Sequence, residues 1–425
     1  MRILYTANFH GDDGGGITTY ILSLARAFAP RHAVAIAAPE RSRLYQTAKT
    51  IPGVEAILLE FRNSLQSMIG TGLALRHLIA TRDFDIVHVN GSADHRIVML
   101  AALGKGQCRP RIVYTRHHDL PAKGLMAWLK ASRATDAAIC ISDYMKGLLS
   151  ATAYRKKPLP VVHHGVDLQW YLPFAADAAR EARQRWLPDA PAEVLAVGSI
   201  AGTGMYKGWL DMVAAAASLP GDLRSQIRIL IAGKMPGEAE RRAVASLQME
   251  GSVIYTGILR DVRPLVAALD VGFVLSRRET LSFACREMMA MGKPIIVSDI
   301  GGLPENVTPG MDGWIVPVGG KAEIAALLRG LLLDRANLDH AHLDRAQLAR
   351  AGEAARARSE REFSLQAFAA GTESVYHQCI RRAQEQRSLS AAGERPPRIL
   401  AQSAPCEMAA VAGERFLSSA LRPEE

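Results

Sequence analysis

The sequence predicts an α/β protein of two domains, each organised around a parallel β-sheet, and three observations support this prediction. The chain has 425 residues, which is more than one ordinary domain contains. Short β-branched runs alternate with helical segments along most of its length, as is typical of parallel sheets. After a Gly-Val-Asp turn at residues 165–167 the same alternation starts again near Val194, so the two halves share one plan.

Each half has its own set of predicted elements, with helices between the strands. Strands in the first half are predicted at Ile3–Thr6, Ala33–Ala37, Ile86–Val89, Arg111–Arg116, Ala137–Ser142 and from Pro160 onward. Strands in the second half are predicted at Val194–Ser199, Ile227–Ala232, from Val253 onward, Val271–Leu275 and Pro294–Val297. The pattern from about Ala322 to Ile380 is helical.

The stretch from residue 271 to residue 305 is the most informative part of the chain. Val271–Leu275 and Pro294–Val297 are apolar runs, and Phe283–Met291 between them has helix formers and no Gly or Pro. This order predicts a strand, a helix and a second parallel strand. Ligands bind such a unit beyond the carboxyl ends of the strands, in the loops that lead into the helices.

Two acidic residues fall within this unit. Glu279 lies in the loop before the predicted helix, and Glu287 lies inside that helix. Free N–H groups at the helix N-terminus, near Ser282 and Phe283, suit a phosphate group. The Glu287 carboxylate would accept hydrogen bonds from sugar hydroxyls. The arrangement therefore favours a nucleotide-sugar as the ligand. The alternative is that the two acids lie on a solvated helix face and bind no ligand.

The residues around these acids resemble a family signature. Glu279, Glu287, the turn at 292–294 and the loop Asp299–Glu305 are similar in kind and spacing to the donor site of the retaining family 4 glycosyltransferases. That family has the GT-B fold, so the resemblance implies two Rossmann-like domains whose parallel sheets face a central cleft. The resemblance extends over roughly residues 1–380.

The resemblance also implies how the chain is divided. Residues 1–169 would form the N-terminal, acceptor-binding domain, and residues 170–363 the C-terminal, donor-binding domain. A helix at about 364–381 would return to the first domain. Residues 382–425, rich in Ala, Ser, Pro and charge, are expected to be a poorly ordered tail.

Catalytic roles come from the same resemblance. Glu279 would orient the donor sugar, Glu287 the ribose, and Lys207 would offset charge on the leaving diphosphate. His117 is similar to the active-site histidine of the family, with His118 as the register alternative because adjacent side chains leave a strand on opposite faces. A purely structural histidine and a solvated lysine are the competing interpretations.

Further substrate contacts are implied at the loops around the cleft. The expected positions are Gly15, Gly16, Gly198, Ser199, Gly233, Gly257, Leu259, Thr280, Leu281, Ser282 and Phe283. The chain departs from the family pattern at Ser199, where an arginine is usual. Stabilisation of the leaving group would then depend on Lys207, backbone N–H groups and Arg277 or Arg278. Glycine is also more common at the positions of Thr280 and Ser282.

The net charge is confined to the first half. Residues 1–170 carry 21 Lys and Arg against 12 Asp and Glu, which is +9, whereas residues 171–425 carry 30 of each. A basic surface fits anionic lipid headgroups or an anionic acceptor, so peripheral contact with the inner face of a plasma membrane is one interpretation. Basic runs such as Arg155-Lys156-Lys157 are otherwise solvated loops. No nucleic-acid reader motif is present, and no nucleic-acid partner is expected.

Neither a metal nor a membrane span is expected. Asp83-Phe84-Asp85 precedes a predicted strand, where a strand cap is more plausible than a metal site. The first residues form a strand and not a signal peptide, and no apolar run reaches about 18 residues. Five scattered cysteines (Cys108, Cys140, Cys285, Cys379 and Cys406) suggest reduced thiols and a cytoplasmic site.

The residues and the resemblance together predict a retaining glycosyltransferase that needs no cofactor. It would move a sugar from a nucleoside-diphosphate sugar, with UDP expected ahead of GDP, to a glycan or lipid-linked acceptor. Lipopolysaccharide or another surface polysaccharide is the expected product. The alternatives are a nucleotide-sugar epimerase of the same fold and a catalytically silent nucleotide-sugar-binding subunit, which the missing arginine and replaced glycines would support.

Overall fold

The computed structural model describes residues 1–8, 15–61, 65–104, 109–188, 190–191, 193–334, 337–341 and 345–391. For residues 65–67, 334, 337–341 and 390–391 only the backbone is described. The chain divides into two compact units, Met1–Arg381 and Arg382–Glu425. Both large sheets belong to the first unit. Of the expected tail, residues 382–391 are helical and residues 392–425 lie outside the described part of the chain.

The first sheet is built from the N-terminal third of the chain. Its strands are β1 (Arg2–Thr6), β2 (Ala33–Ala38), β3 (Val54–Leu58), β4 (Ile86–Val89), β5 (Arg111–Arg116) and β6 (Ala137–Cys140). All six strands are parallel, in the order β3-β2-β1-β4-β5-β6. The accompanying helices are α1 (Gly16–Phe28), α2 (Arg43–Ala48), α3 (Leu65–Thr81), α4 (Ser92–Ala102), α5 (Gly124–Arg133) and α6 (Asp143–Ser150).

The second sheet repeats this arrangement. Its strands are β7 (Leu195–Ser199), β8 (Ile227–Ala232), β9 (Val253–Gly257), β10 (Val271–Val274), β11 (Ile295–Ser298) and β12 (Gly313–Val316). They are also parallel, in the order β12-β11-β10-β7-β8-β9. The helices are α7 (Ala176–Trp186), α8 (Trp209–Ala217), α9 (Gly221–Arg224), α10 (Glu238–Ser246), α11 (Arg263–Ala268), α12 (Phe283–Ala290) and α13 (Lys321–Leu332).

Both sheets have the doubly wound strand order, which confirms the predicted fold class. In each sheet the direction of winding reverses beside the first strand, β1 or β7. Ligands of such sheets bind at this reversal, beyond the carboxyl ends of the strands. The central strands are fully buried because helices cover both faces of the sheet, which explains their continuous apolar sequence.

The sequence did not predict the edge strands β3 and β12. The side chains of β3 are partly or fully exposed, so this strand lacks the apolar run that marks a buried strand. The predicted strand from Pro160 also differs, since it forms only a single parallel bridge between Val161 and Cys140. Pro158 and Pro160 have no N–H to donate, which prevents a regular ladder at this edge.

The C-terminal helical segment is interrupted. The prediction of continuous helix from Ala322 to Ile380 is wrong between α13 and α14 (Arg345–Glu362), where β13 (Leu333–Asp334) and β14 (Asn337–Ala341) form a short antiparallel pair. Asn337 and Asp339 are weak helix formers, in agreement with this break.

The last helix, α15 (Leu365–Ala391), packs on the core of the first sheet. Its Tyr376 hydroxyl lies 2.6 Å from His88 Nδ1 and 3.1 Å from Tyr5 Oη. Two segments therefore connect the sheets, one near Val166 and one near Ser364. Val166 N donates to Phe363 O at 2.8 Å, and Leu365 N donates to Val166 O at 3.0 Å. These backbone bonds tie the two crossing segments together.

Within the described residues no helix is long and apolar enough to span a membrane. Cys140 and Cys285 are buried, free thiols, and Cys379 is buried as well, while Cys108 and Cys406 lie outside the described ranges.

Candidate active site

Loops from both sheets meet in the cleft between them. On the first side they follow β1, β4 and β5, and they carry the start of α1, Asn90 and His117. On the second side they follow β7, β10 and β11, and they carry Lys207, Glu279 and Glu305. All six loops lie at the carboxyl ends of parallel strands, the edge at which such sheets bind ligands.

Lys207 and Glu279 form an ion pair, with 2.9 Å between Nζ and Oε2. Both side chains are mostly buried, with 17% and 19% of their surface exposed. Lys207 ends a 3-10 turn, and the following Gly208 adopts φ +67°, a conformation that favours glycine. The Lys207 ammonium also lies 5.0 Å from the centre of the Tyr206 ring. The pair thus provides a cation that could bind a diphosphate and an acid that could bind a sugar. Both groups would then give up their contact with each other.

The loop of Glu279 is supported by the glycines that follow β11. Gly301 has φ +59°, and a Cβ at this position would overlap the Glu279 carbonyl oxygen. Gly302 N donates to the same oxygen at 3.4 Å. The two glycines of the predicted signature therefore let the backbone of one loop approach that of the other.

Glu287 lies on α12 and forms a hydrogen bond with Tyr171. Burial raises the pKa of the Glu287 carboxyl to about 7, while the hydrogen bond from Tyr171 acts in the opposite direction. Burial also raises the pKa of the Tyr171 hydroxyl, which stays a donor near neutral pH. The sequence did not indicate Tyr171, because it follows the domain crossing and is far from Glu287 along the chain.

His117 is held by Asn90 in one tautomer. The Asn90 amide Nδ2 donates to Thr6 O at 3.3 Å and to His88 O at 3.2 Å, so its Oδ1 must be the atom that faces His117 Nε2, at 3.1 Å. His117 Nε2 consequently carries the proton, and Nδ1 is left as the acceptor atom. Burial lowers the pKa of His117 well below its usual value, which keeps the ring neutral. The ring packs edge-on against Tyr20, with 4.7 Å between centroids.

His118 lies next to His117 in the loop after β5, and its side chain is exposed. It lines a cavity of about 300 Å³ on the first-sheet side, together with Asn8, Ile17, Asn90 and Arg96. This cavity lies at the carboxyl ends of β1 and β4, where the strand order reverses.

The two sides of the cleft are joined by direct contacts. Thr280 Oγ1 donates to His117 O at 3.0 Å, and Ser142 Oγ donates to Thr280 O at 2.8 Å. Leu281 is buried in the hydrophobic core of the first sheet. Thr280 and Leu281 were predicted to contact the donor. In the structure the side chains of both residues contact the first domain.

Ser282 and Phe283 begin α12. Ser282 Oγ caps the helix by accepting a hydrogen bond from Cys285 N at 3.3 Å. The Phe283 ring stacks on His164, with 3.7 Å between ring centroids and 11° between planes. A Cβ on Gly16 would lie 3.6 Å from the Phe283 ring, so α1 and α12 approach closely at this point. Gly15 is the N-cap of α1, and Gly14 lies outside the described residues.

Comparison with known proteins identifies the family. Residues 14–170 match the family model Glycosyltransferase Family 4, and residues 191–334 match the model Glycosyl transferases group 1. The chain is a family 4 glycosyltransferase. The resemblance seen in the sequence is thereby confirmed, and the two doubly wound sheets are those of the GT-B fold.

Relatives and solved structures agree with this assignment. D-inositol 3-phosphate glycosyltransferase 1 of Catenulispora acidiphila is 25% identical over 77% of this glycosyltransferase and 84% of its own length. The crystal structure of Anabaena HepE in complex with UDP has a TM-score of 0.73, at 18% identity, covering 89% of this chain and all of that one. The lipopolysaccharide outer core galactosyltransferase WaaB has a TM-score of 0.61, at 16% identity, covering 89% and 100%.

In this glycosyltransferase the loop after β7 differs from the expected arginine clamp. Ser199 is almost fully buried, and its Oγ accepts a hydrogen bond from Ala201 N at 3.2 Å within its own loop. The expected substitutes are also engaged: Arg277 pairs with Asp211 at 2.8 Å, and Arg278 pairs with Asp119 of the first domain. Of these cations, Lys207 is the one that contacts a predicted site residue.

The remaining predicted positions lie in strand β7 and in the loops after β8 and β9 of the transferase. Gly198 lies inside β7, where a Cβ would come within 2.9 Å of Leu230 O. Gly233 N donates to Gly257 O at 3.1 Å, which holds the loops after β8 and β9 together. Leu259 is partly buried against the core of the second domain.

Glu305 is a further cross-domain residue that the motif alone did not explain. Its carboxylate accepts hydrogen bonds from Asp143 N at 2.9 Å and Tyr144 N at 2.8 Å, and so caps α6 of the first domain. His163 Nε2 lies 3.2 Å from the same carboxylate. Asp143, His163 and Glu305 have ligand atoms within 4.8 Å of one another, a spacing that could hold a cation. Because both Glu305 oxygens already accept hydrogen bonds, we interpret the group as an interdomain cap.

Proposed function

We propose that this glycosyltransferase moves a sugar, with retention, from a UDP-sugar to a hydroxyl of a glycan or lipid-linked acceptor. One observation carries the proposal, the Lys207–Glu279 ion pair at the carboxyl ends of the strands. Glu279 precedes Thr280, whose hydroxyl donates to His117 O. The lysine, the acid and the histidine therefore belong to one cleft between the domains.

The proposed chemistry follows from the charges of these groups. The Lys207 ammonium would offset the negative charge that develops on the leaving diphosphate. Glu279 and His117 Nδ1 would accept hydrogen bonds from hydroxyls of the donor sugar, and Glu287 from the ribose. The bond from the anomeric carbon to the acceptor oxygen forms as its bond to the phosphate oxygen breaks. The acceptor proton passes to that phosphate oxygen, so no protein nucleophile is assigned.

Several observations support the donor and the acceptor. UDP is bound to Anabaena HepE, which shares the fold. WaaB, named as a lipopolysaccharide galactosyltransferase, shares it as well, and the first half of the present chain is strongly basic. The cavity lined by His118, Asn90 and Arg96 gives an acceptor room on the first domain. We therefore place the enzyme in lipopolysaccharide or other surface polysaccharide synthesis.

The test is incubation of the purified protein with a panel of nucleotide-sugars, with and without lipid-linked oligosaccharide. Release of the diphosphate only when acceptor is present, with the donor's anomeric configuration retained in the product, supports the proposal. An isomerised donor would instead identify an epimerase, and protection against thermal unfolding without turnover would identify a binding subunit. UDP should protect more than GDP, and greater protection by GDP would overturn the choice of nucleotide.

A further inference from the structure

Helix α5 and the loop before it expose an unusual amount of apolar surface. The exposed side chains and their exposed fractions are Leu120 57%, Leu125 71%, Met126 45% and Trp128 50%. Four large apolar side chains within nine consecutive residues form a cluster, whereas single exposed apolar residues are ordinary. We refer to these four residues as the α5 face.

The segment that contains the α5 face is rich in positive charge. Residues 120–157 contain seven Lys and Arg against two Asp, which is +5 of the +9 carried by the first half. One of the two acids, Asp136, is already paired with Arg109 and Arg111. A groove of about 630 Å³ runs along α5, with Lys123 and Trp128 on one side and residues 151–157 on the other.

Basic side chains in and beside this groove are exposed to solvent. Lys123, Arg155 and Lys156 line the groove, Arg133 ends α5, and all four are exposed at the surface. An exposed tryptophan that shares a groove with lysine and arginine, next to exposed leucines, has the composition of segments that lie in the interface of an anionic bilayer. Nucleic acid would leave the apolar side chains in water, and a protein partner would not require a charge of one sign.

We propose that the α5 face docks on the surface of a bilayer containing anionic lipids. The inference rests on the proposed function, since it supplies the reason why a lipid-linked acceptor reaches the cleft. Helix α5 follows Asp119, whose carboxylate pairs with Arg278 of the second domain, so the docked face lies beside the cleft mouth. Apolar side chains would enter the headgroup region while the basic rim contacts lipid phosphates.

The experiment is co-sedimentation of the full chain with vesicles. One set contains phosphatidylcholine with phosphatidylglycerol, and the other phosphatidylcholine alone. We expect binding to the first set, weakening with added salt, and little binding to the second. Leu125→Ser with Trp128→Ser, and separately Arg155→Gln with Lys156→Gln, should each weaken binding about tenfold or more.

Matched controls test whether the face itself is responsible. Ile69→Ser with Leu73→Ser removes two exposed apolar residues of α3, and Lys321→Gln with Arg329→Gln removes two exposed charges of α13. Both controls should bind as the parent protein does. Equal losses in a control and an α5 variant, or no binding to anionic vesicles at all, would overturn the inference. Protection by UDP is measured separately, so failure to bind vesicles is distinguishable from failure of the proposed function.

Discussion

Lys207 and Glu279 stand 72 residues apart in the chain, yet their side chains meet at 2.9 Å in the cleft. Each comes from a loop at the carboxyl end of a central strand of the second sheet, β7 or β10. Their limited exposure reduces solvent screening, so each charge holds the other in position. A bound donor would replace this ion pair: its phosphate would contact the Lys207 ammonium, and its sugar hydroxyls would contact the Glu279 carboxylate.

Replacing Lys207 with methionine should therefore impair catalysis more than stability. We expect kcat to fall by about 10²- to 10³-fold, since one group that stabilises developing negative charge is lost. The unfolding free energy should fall by a smaller amount, about 1–3 kcal/mol, because the mostly buried Glu279 carboxylate loses its charged partner. Diphosphate release and thermal unfolding measure the two effects. Lys321→Met, at an exposed site on α13, is the control, and an active Lys207→Met enzyme would contradict the assigned role.

Asn90→Ala should disturb catalysis through His117. Without the Asn90 oxygen, both tautomers of the neutral ring become populated, and the acceptor Nδ1 is lost part of the time. We expect turnover to fall about tenfold, because the loss of one hydrogen bond costs about 1 kcal/mol. Nitrogen NMR of the histidine ring should show the Nε2–H tautomer in the parent protein and a mixture in the variant. The exposed neighbour His118, changed to alanine, should leave the His117 signals unchanged. An unaltered tautomer in Asn90→Ala would refute the proposal.

Glu287 should make both stability and donor binding depend on pH. Its folded pKa of about 7 lies above the usual 4.5, so between these values the folded protein binds more protons than the unfolded chain. The contribution of Glu287 to the unfolding free energy is therefore fully present below pH 4.5 and is lost as the pH rises through about 7. Donor binding should strengthen over the upper part of the same interval, as the carboxylate that accepts ribose hydroxyls forms.

Glu287→Gln separates these two effects. The amide keeps an acceptor for Tyr171 but has no charge, so we expect a gain of ~1–3 kcal/mol in unfolding free energy at about pH 8. Donor affinity should drop and lose its pH dependence. Titration calorimetry with the nucleotide-sugar and urea unfolding at several pH values measure both. Glu353→Gln, on the exposed side of α14, is the control. A variant that binds donor as tightly as the parent would exclude Glu287 from the ribose site.

Gly208→Ala should destabilise the loop that carries Lys207. Gly208 has φ +67°, and a Cβ there would overlap the carbonyl oxygen of Leu275. We expect a loss of about 2–4 kcal/mol in urea unfolding. Gly147→Ala is the matched control, because Gly147 lies inside α6 with no atom within 4 Å of its added Cβ. That change should stabilise the protein by up to ~1 kcal/mol. Equal effects of the two substitutions would show that the close approach to Leu275 is unimportant.

Local patterns in the sequence were sufficient to predict the central strands and the helix between β10 and β11. Buried parallel strands such as β1 and β10 are short apolar runs, and their identity does not depend on distant residues. The edge strand β3 and the break between α13 and α14 were not predicted. A half-exposed strand lacks a continuous apolar run, and the break between these helices is not marked by Gly or Pro. The Glu279, Glu287 and glycine spacing was likewise readable, and the family assignment it implied is confirmed.

The sequence by itself determined the fold class, through the periodicity of its strands and helices, and the family, through the resemblance of one short motif. The roles of Glu279 and Glu287 stay predictions. Only the tertiary structure decided how the side chains are used. Lys207 meets Glu279, Asn90 selects a tautomer of His117, Tyr171 meets Glu287, and Ser199 turns into its own loop. Each of these contacts is set by where a chain crossing or a turn places one backbone against another. Short-range patterns carry no record of that placement.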